Sequence, residues 1–214
     1  MMMHLLDIPL RPSRRGEPSW ELLDILPLQG DWTVKQYKKL VDQNRMVEYT
    51  DGRIEVLPMP TLLHQLIAVW FCQLLNDMRH GTTSAGRAVV APFILKLRVK
   101  KYRLPDVAFM KRENADRIRD DQWLYADLLM EVVSKGGRKR DYEAKRLAYA
   151  EAGIPEYWIV DPIARQVTVL VLDVGATTYR QAGVYKDGDH ALSPTVTGLK
   201  VDVSDMLNRP LKPE

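Results

Sequence analysis

Apolar residues recur along this chain at two spacings, which predict different elements. Between Thr61 and Arg79 they recur every three or four positions, a pattern that predicts an amphipathic helix. The apolar positions of that helix are Leu63, Leu66 or Ile67, Trp70, Leu74 and Met78. A second helix is expected from Thr33, its N-cap, to about Asn44. A third, more charged helix is expected at Arg138–Ala152, ended by Gly153.

Alternating or short continuous apolar runs predict the strands. The step Asp51-Gly52 between two such runs, Met46–Tyr49 and Arg53–Leu57, predicts a β-hairpin. Further strands are expected at Phe93–Val99, Asp106–Met110, Asp127–Val133, Glu156–Asp161 and Gln166–Leu172, with weaker candidates around Tyr179, Val184 and Val201. A short closing helix is expected at Val203–Leu207. The strand–helix–strand order from Asp127 to Asp161 predicts two parallel strands joined by a crossover.

This order of elements predicts a mixed sheet flanked by helices. The fold class is α/β, or α+β if antiparallel pairs dominate. A chain of 214 residues favours one domain, which we place at residues 31–208. Residues 1–30 are rich in proline and lack periodicity, so they are expected to form an N-terminal extension. Residues 209–214 are expected to form a C-terminal tail.

Composition narrows the classes of function. Charged residues make up 28% of the chain and apolar residues 46%, so extensive disorder is not expected. The net charge of +3 is too small to indicate a nucleic-acid partner by itself. The single cysteine, Cys72, excludes an intramolecular disulfide and a multi-cysteine zinc site. The chain has no apolar run of membrane-spanning length and no signal-peptide pattern, so we expect a cytoplasmic protein.

Two acidic residues stand in apolar strand patterns. Side chains alternate along a strand, so Glu131 shares one side of the sheet with Leu129 and Val133. Burying an unpaired carboxylate is costly, so Glu131 is expected to be paired, hydrogen-bonded or metal-bound. Asp106 begins an earlier apolar strand and is either a strand-end aspartate or a second ligand. If the two strands are neighbours, both carboxylates can bind Mg²⁺, which activates water for phosphodiester cleavage.

The series of motifs resembles the Uma family of restriction-endonuclease-like proteins, in the PD-(D/E)XK nuclease superfamily. The matching segments are Glu48–Gly52, Pro58–Pro60 with His64, Pro105-Asp106, Glu131–Ser134, Asp141–Lys145 and Gly153–Pro162. The resemblance extends roughly from Thr33 to Leu172. It implies a restriction-endonuclease-like fold, with Mg²⁺ or Mn²⁺ held by Asp106 and Glu131. It also implies a metal-dependent endonuclease that hydrolyses phosphodiester bonds in DNA.

A lysine completes the site in this superfamily, and here its position departs from the usual pattern. The lysine normally follows the acidic residue by two positions, where this chain has Val133. The Uma pattern places it on the next helix, where Lys145 matches. The resemblance therefore implies that Lys145 orients the attacking water or stabilises the pentacovalent phosphate. The competing explanation is an ordinary surface salt bridge with Asp141, four residues earlier.

Other polar residues are weaker candidates. Glu48 is expected either to assist the metal or to be a solvated strand residue, with Glu55 as a less favoured alternative. His64 is expected to contact phosphate or substrate, or to be a packed or exposed histidine. Arg138 and Arg140 could neutralise a nucleic-acid backbone, although a basic run at a helix start is often simply solvated.

Three functions remain open from the sequence. The first is a nuclease acting on DNA, which the presence of all three site residues favours. The second is a catalytically silent nuclease fold used for DNA binding or assembly, and the third is a domain acting on RNA or a nucleotide. Restriction-like nucleases often pair two active sites, so we expect a homodimer. Candidate contacts in the N-terminal extension are Trp20, Leu22, Leu23, Ile25 and Leu26.

Overall fold

The computed structural model describes residues 27–43, 45–78 and 86–209. Most of the predicted extension, with its apolar residues proposed for a dimer contact, lies outside the described residues, as does most of the predicted tail. The chain forms two compact units. Among the described residues, the first contains those up to Pro58 together with Val99–Tyr102, and the second contains those between Met59 and Arg98 and from Arg103 onward.

The described residues contain the following elements. The helices are α1 (Val34–Asp42), α2 (Leu62–Asp77), α3 (Arg146–Glu151) and α4 (Val203–Leu207), with a 3₁₀ helix at Arg112–Arg117 and a π-helical segment at Arg140–Lys145. The strands are β1 (Val47–Thr50), β2 (Arg53–Val56), β3 (Gly86–Val90), β4 (Leu95–Arg98), β5 (Lys101–Arg103), β6 (Val107–Lys111), β7 (Leu128–Val132), β8 (Glu156–Asp161), β9 (Gln166–Val171), β10 (Arg180–Lys186), β11 (His190–Leu192) and β12 (Lys200–Asp202).

Local sequence signals account for the first unit. Thr33 caps α1: its hydroxyl oxygen accepts a hydrogen bond from the N–H of Gln36, and its own N–H donates to the side-chain oxygen of Gln36. Strands β1 and β2 pair antiparallel around Asp51 and Gly52, which have φ values of 46° and 85°. Two consecutive positive φ values are the requirement of a tight hairpin turn. The predicted helix and hairpin are confirmed.

The second unit is built on a six-stranded sheet in the order β10-β9-β8-β7-β6-β3. Only β7 and β8 are parallel, and the other neighbours pair antiparallel. The predicted mixed sheet and parallel crossover are therefore confirmed. Because antiparallel pairs dominate, the class is α+β rather than α/β.

Helices cover both faces of this sheet. On one face, α2 packs on Leu128, Met130 and Val132, and Phe71 lies 5.3 Å from Trp158 between ring centroids. On the other face, α3 packs on a cluster that includes Leu129 and Val133. The alternation predicted for this strand is thus confirmed, and it directs Glu131 toward the side covered by α3.

Some elements carried too little pattern to be predicted. Strands β3, β5 and β11, the 3₁₀ helix and the π-helical segment were not expected. Cys72 is buried on α2, as predicted, and burial raises the pKa of its thiol. No helix within the described residues is both long enough and apolar enough to cross a bilayer.

The turn glycine Gly52 offers a test of how the first unit is held together. A Cβ at Gly52 would lie 2.0 Å from the carbonyl oxygen of Gly30, whose N–H donates to the Gly52 carbonyl at 2.8 Å. We predict that Gly52→Ala lowers the free energy of unfolding more than Gly175→Ala. Gly175 has a similar φ of +79° but open space around its Cβ. The left-handed strain of about 1–2 kcal/mol is common to both, and the clash adds at least about 1 kcal/mol.

Denaturant titration of the two variants measures the difference. Equal losses would show that the segment around Gly30 moves aside without cost.

Candidate active site

Two neighbouring strands bring Asp106 and Glu131 together. Strands β6 and β7 are antiparallel, and Val107 lies opposite Met130. Asp106 therefore lies beside the end of β7 that contains Glu131. The N–H of Val132 donates to Oδ2 of Asp106 at 2.7 Å, which fixes this carboxylate against the neighbouring strand. The condition stated for the sequence, that the two strands are neighbours, is therefore met.

Each oxygen of Glu131 has its own donor. Nζ of Lys145 lies 2.7 Å from Oε2, and the hydroxyl of Tyr149 donates to Oε1 at 2.5 Å. The side chains of Glu131 and Lys145 are only 2% and 3% exposed. The sequence predicted that a carboxylate on this apolar strand would be paired, hydrogen-bonded or metal-bound, and the structure shows an ion pair with an ammonium and a hydrogen bond from a hydroxyl.

The competing explanation of Lys145 as a surface salt bridge is wrong. Lys145 and Asp141 are both buried, and the Nζ to Oδ1 distance between them is 3.9 Å, longer than the contact to Glu131. The physical reason is the packing of the π-helical segment onto the sheet, which removes the lysine from water. Lys145 therefore reaches the strand, as the resemblance implied, although its catalytic role stays a prediction.

His64 contacts the other carboxylate. It lies in the first turn of α2, and its Nε2 is 3.0 Å from Oδ2 of Asp106. Its Nδ1 is buried and has no hydrogen-bond partner among the described residues. Of the alternatives left open by the sequence, the packed histidine fits best, since this imidazole is mostly buried and held against Asp106.

The surroundings shift the pKa values of the two aspartates in opposite directions. Burial acts to raise the pKa of Asp106, but the hydrogen bond and charge of His64, the charge of Lys145 and the N–H of Val132 together hold it below the usual 3.8. Burial raises the pKa of Asp141, and Lys145 and Arg140 offset this only in part.

A buried phenol lies close to the same carboxylates. Tyr157 is buried, and its hydroxyl donates to the main-chain carbonyl of Asp141 at 2.9 Å. Burial raises its pKa well above the usual value, and the charges of Glu131, Asp141 and Asp106 add to that effect. The three carboxylates are therefore close enough to act on the same buried hydroxyl.

The remaining acidic candidates lie in the first unit. Glu48 is on β1 and only 2% exposed, so the expectation of a solvated strand residue is wrong. Strand β1 pairs with both β2 and β5, and Val47 and Tyr49 on either side of Glu48 are buried as well. Glu55, on β2, is exposed.

The basic residues proposed for a nucleic-acid backbone have partners within the chain. Arg138 is hydrogen-bonded to Asp161, and its guanidinium carbon lies 4.8 Å from the centroid of the Tyr142 ring. Nε of Arg140 lies 3.4 Å from Oδ1 of Asp141. More than half of the Arg138 side chain is nevertheless exposed, so part of its charge faces water.

Tyr149 was not among the candidates predicted from the sequence, and Asp141 was considered only as a partner of Lys145. A signal was present in the spacing. Asp141, Lys145 and Tyr149 follow one another at intervals of four residues, and residues at this spacing share one face of a helix.

The donor set fits magnesium or manganese. No group of three or more His, Cys, Asp or Glu residues in the described part of the chain is arranged to hold a metal. Mg²⁺, however, is commonly bound through one or two carboxylates, with water and substrate phosphate completing its shell. Both contacts to Asp106 described above are made to Oδ2. Asp106 and Glu131 therefore meet the minimum requirement for this ion.

Comparison with known proteins identifies the family and the fold. Residues 34–204 match the model of the Uma2 family, described as "Putative restriction endonuclease". A solved structure from Anabaena variabilis ATCC 29413, described as "a putative nuclease belonging to DUF820", aligns with a TM-score of 0.68. The alignment covers 82% of this chain and 97% of that chain at 18% identity, so it shows a shared fold alone. No curated protein matches the sequence significantly.

The lowered pKa of Asp106 predicts a pH dependence of stability. A carboxyl whose pKa is lower in the folded state stabilises the fold above its usual pKa of 3.8, and this contribution is lost as pH falls through the lowered value. Asp106→Asn should therefore reduce the free energy of unfolding most at pH above about 5, and the difference from wild type should shrink at pH below about 4.

The control is Asp173→Asn, which removes an exposed aspartate paired with Arg180. Its effect should be small at every pH, because exposed ion pairs contribute roughly 0–1 kcal/mol. A pH-independent loss in Asp106→Asn would contradict the assignment.

The buried pair predicts a second, larger effect. Lys145→Met should destabilise the protein by about 3–5 kcal/mol, because it leaves the Glu131 carboxylate buried without its ammonium partner. Adding Glu131→Gln should recover part of that loss, since an amide carries no charge. Denaturant unfolding of both single variants and the double variant measures this coupling, and additive losses would rule it out.

Proposed function

Since this chain belongs to the Uma2 family, we propose that it is a metal-dependent endonuclease that hydrolyses phosphodiester bonds in DNA. The observation that carries the proposal is that Asp106 is held against the strand that contains Glu131, while Glu131 contacts the buried ammonium of Lys145. A buried ion pair rarely stabilises a fold better than apolar packing would. Its presence beside a second carboxylate therefore favours a role in chemistry.

Asp106 and Glu131 would hold Mg²⁺ or Mn²⁺. A divalent ion bound there would lower the pKa of a water molecule and neutralise charge on the phosphate. The protein prepares Asp106 for this role, because its lowered pKa keeps the carboxylate ionised at neutral pH. His64 and Val132 both contact Oδ2 and so limit rotation of the carboxylate.

Lys145 would supply the positively charged side chain that the superfamily pattern places on the strand, two residues after the acidic residue. Its ammonium is held between Glu131, at 2.7 Å, and Asp141, at 3.9 Å. A positive charge fixed in a buried position can stabilise negative charge that develops on the phosphate, without reorganising during the reaction. It can also donate to the attacking water. Asp141 then acts on the reaction only by positioning Lys145.

The surrounding residues would have supporting roles. His64 has its second nitrogen buried, which favours a role in positioning Asp106 over direct contact with phosphate. The exposed part of Arg138 is a candidate for contact with the DNA backbone. A homodimer would present two such sites to a duplex, and cutting of both strands in one binding event is its expected signature.

DNA cleavage by the full chain tests the proposal. Single-stranded, nicked and duplex DNA, with an RNA substrate for comparison, are incubated with Mg²⁺, Mn²⁺ or EDTA. We expect metal-dependent cleavage of DNA that Glu131→Gln and Asp106→Asn abolish. Lys145→Gln should lower the rate per folded molecule by about a hundredfold to a thousandfold. Asp173→Asn serves as the matched control and should keep the wild-type rate.

The other outcomes separate the alternatives. DNA binding without cleavage under any metal condition would favour the catalytically silent fold. Cleavage of RNA alone would support metal-dependent phosphodiester hydrolysis and show that DNA is not the substrate.

A further inference from the structure

One helical face supplies both donors to Glu131. Tyr149 donates its hydroxyl hydrogen to Oε1, and the ammonium of Lys145 lies against Oε2. The two donors come from successive turns of the same helical stretch. Because each carboxylate oxygen is held by a different group, the plane of the carboxylate cannot rotate without breaking a contact.

The backbone of this stretch keeps its polar side chains in line. Arg140–Lys145 is π-helical and Arg146–Glu151 is α-helical. A step of four residues overshoots an α-helical turn of 3.6 residues. The same step falls short of the wider π-helical turn. The two deviations are opposite in sign, so Asp141, Lys145 and Tyr149 remain on one face, and all three are buried against the sheet.

Packing fixes the ring of Tyr149 independently of Glu131. The ring lies edge-on to Tyr157, with centroids 5.1 Å apart and planes at 80°. It is fully buried within the cluster under the helix. The hydroxyl oxygen therefore has a defined position, and the carboxylate is the partner that adjusts to it.

The two donors differ in what they do to a nearby cation. The ammonium of Lys145 repels a divalent ion and competes with it for carboxylate oxygen. The hydroxyl of Tyr149 is neutral, so it can hold one oxygen without opposing the ion. A carboxylate oxygen has two lone pairs and can accept this hydrogen bond while the carboxylate binds a metal.

We propose that Tyr149 is a positioning residue: its hydroxyl fixes Glu131 in the orientation that binds the divalent ion, and keeps this hydrogen bond when the ion is bound. The inference rests on the proposed function, because it requires Glu131 to be a metal ligand. Tyr149 itself touches neither the metal nor the substrate.

Binding of Mn²⁺ to the full chain, measured by calorimetry without substrate, tests this inference. Tyr149→Phe removes one oxygen atom and keeps the ring. We expect it to weaken Mn²⁺ binding by about 10–100-fold, the usual effect of losing a group that orients a metal ligand. The matched control is Tyr179→Phe. Tyr179 is buried in the same cluster, but its hydroxyl donates to the main-chain carbonyl of Ile154 at 2.7 Å, so Mn²⁺ binding should be unchanged.

Glu131→Gln distinguishes a failure of the proposed metal site from a failure of the positioning role of Tyr149. If Glu131→Gln weakens Mn²⁺ binding and folded Tyr149→Phe binds like wild type, Tyr149 has no positioning role and the proposed function stands. If wild type binds no Mn²⁺, or Glu131→Gln binds as wild type does, the metal site is wrong and this inference falls with it. Weakening by Tyr149→Phe and Tyr179→Phe alike would assign the effect to lost packing and overturn the inference.

Wild-type protein provides a readout that does not depend on folding of the variant. With labelled tyrosine rings, substoichiometric Mn²⁺ should broaden the resonance of the ring next to Glu131 before the others. Retention of every tyrosine signal at saturating Mn²⁺ would show that no Mn²⁺ binds beside Glu131, and the inference would fall with the metal site.

Discussion

The burial of the Glu131 carboxylate is the constraint on which the second unit depends. An ionised carboxylate in the middle of an apolar strand is tolerated only if other groups satisfy it. The helical stretch after β7 provides them, and Lys145 in turn can be buried only because Glu131 and Asp141 accept its charge. The ion pair therefore holds the helix against the strand, because neither Glu131 nor Lys145 could be buried without the other. Apolar side chains of similar volume would often stabilise such a core equally well, which makes the pair easier to explain by function than by stability.

The topology of the sheet determines which residues lie next to Glu131. The antiparallel pairing of β6 and β7 sets Asp106 beside Glu131. The parallel pairing of β7 and β8 requires a long connection, and that connection is the helical stretch with Lys145. A crossover helix must cover one face of the sheet, and here it covers the face toward which Glu131 points. The lysine can thus be absent from position 133 on the strand and still reach the same carboxylate.

Asp106 and Asp141 are chemically alike, but their surroundings shift the ionisation of their carboxyl groups in opposite directions. Contacts with His64, Lys145 and Val132 favour the ionised form of Asp106, the form that a metal ion requires. Burial disfavours the ionised form of Asp141, whose main contacts are with Lys145 and Arg140. One carboxylate is suited to bind a cation from solution, and the other to hold a cation that belongs to the protein.

The sequence by itself determined the parts that depend on local periodicity and on turn chemistry. These are α1 with its Thr33 cap, the hairpin at Asp51-Gly52, helix α2, the crossover between β7 and β8, and the candidacy of Glu131, whose charge conflicts with an apolar strand pattern. Strands β3, β5 and β11 were not foreseen, because a short strand is specified by its neighbours more than by its own residues. Only the tertiary structure decided that Lys145 is buried rather than exposed. Only it showed that Glu48 lies in a covered strand, and that Tyr149 donates to Glu131 instead of merely packing. Each of these depends on which face of an element meets another element, and the distance between residues 131 and 149 in space is fixed by the packing of the helix on the sheet.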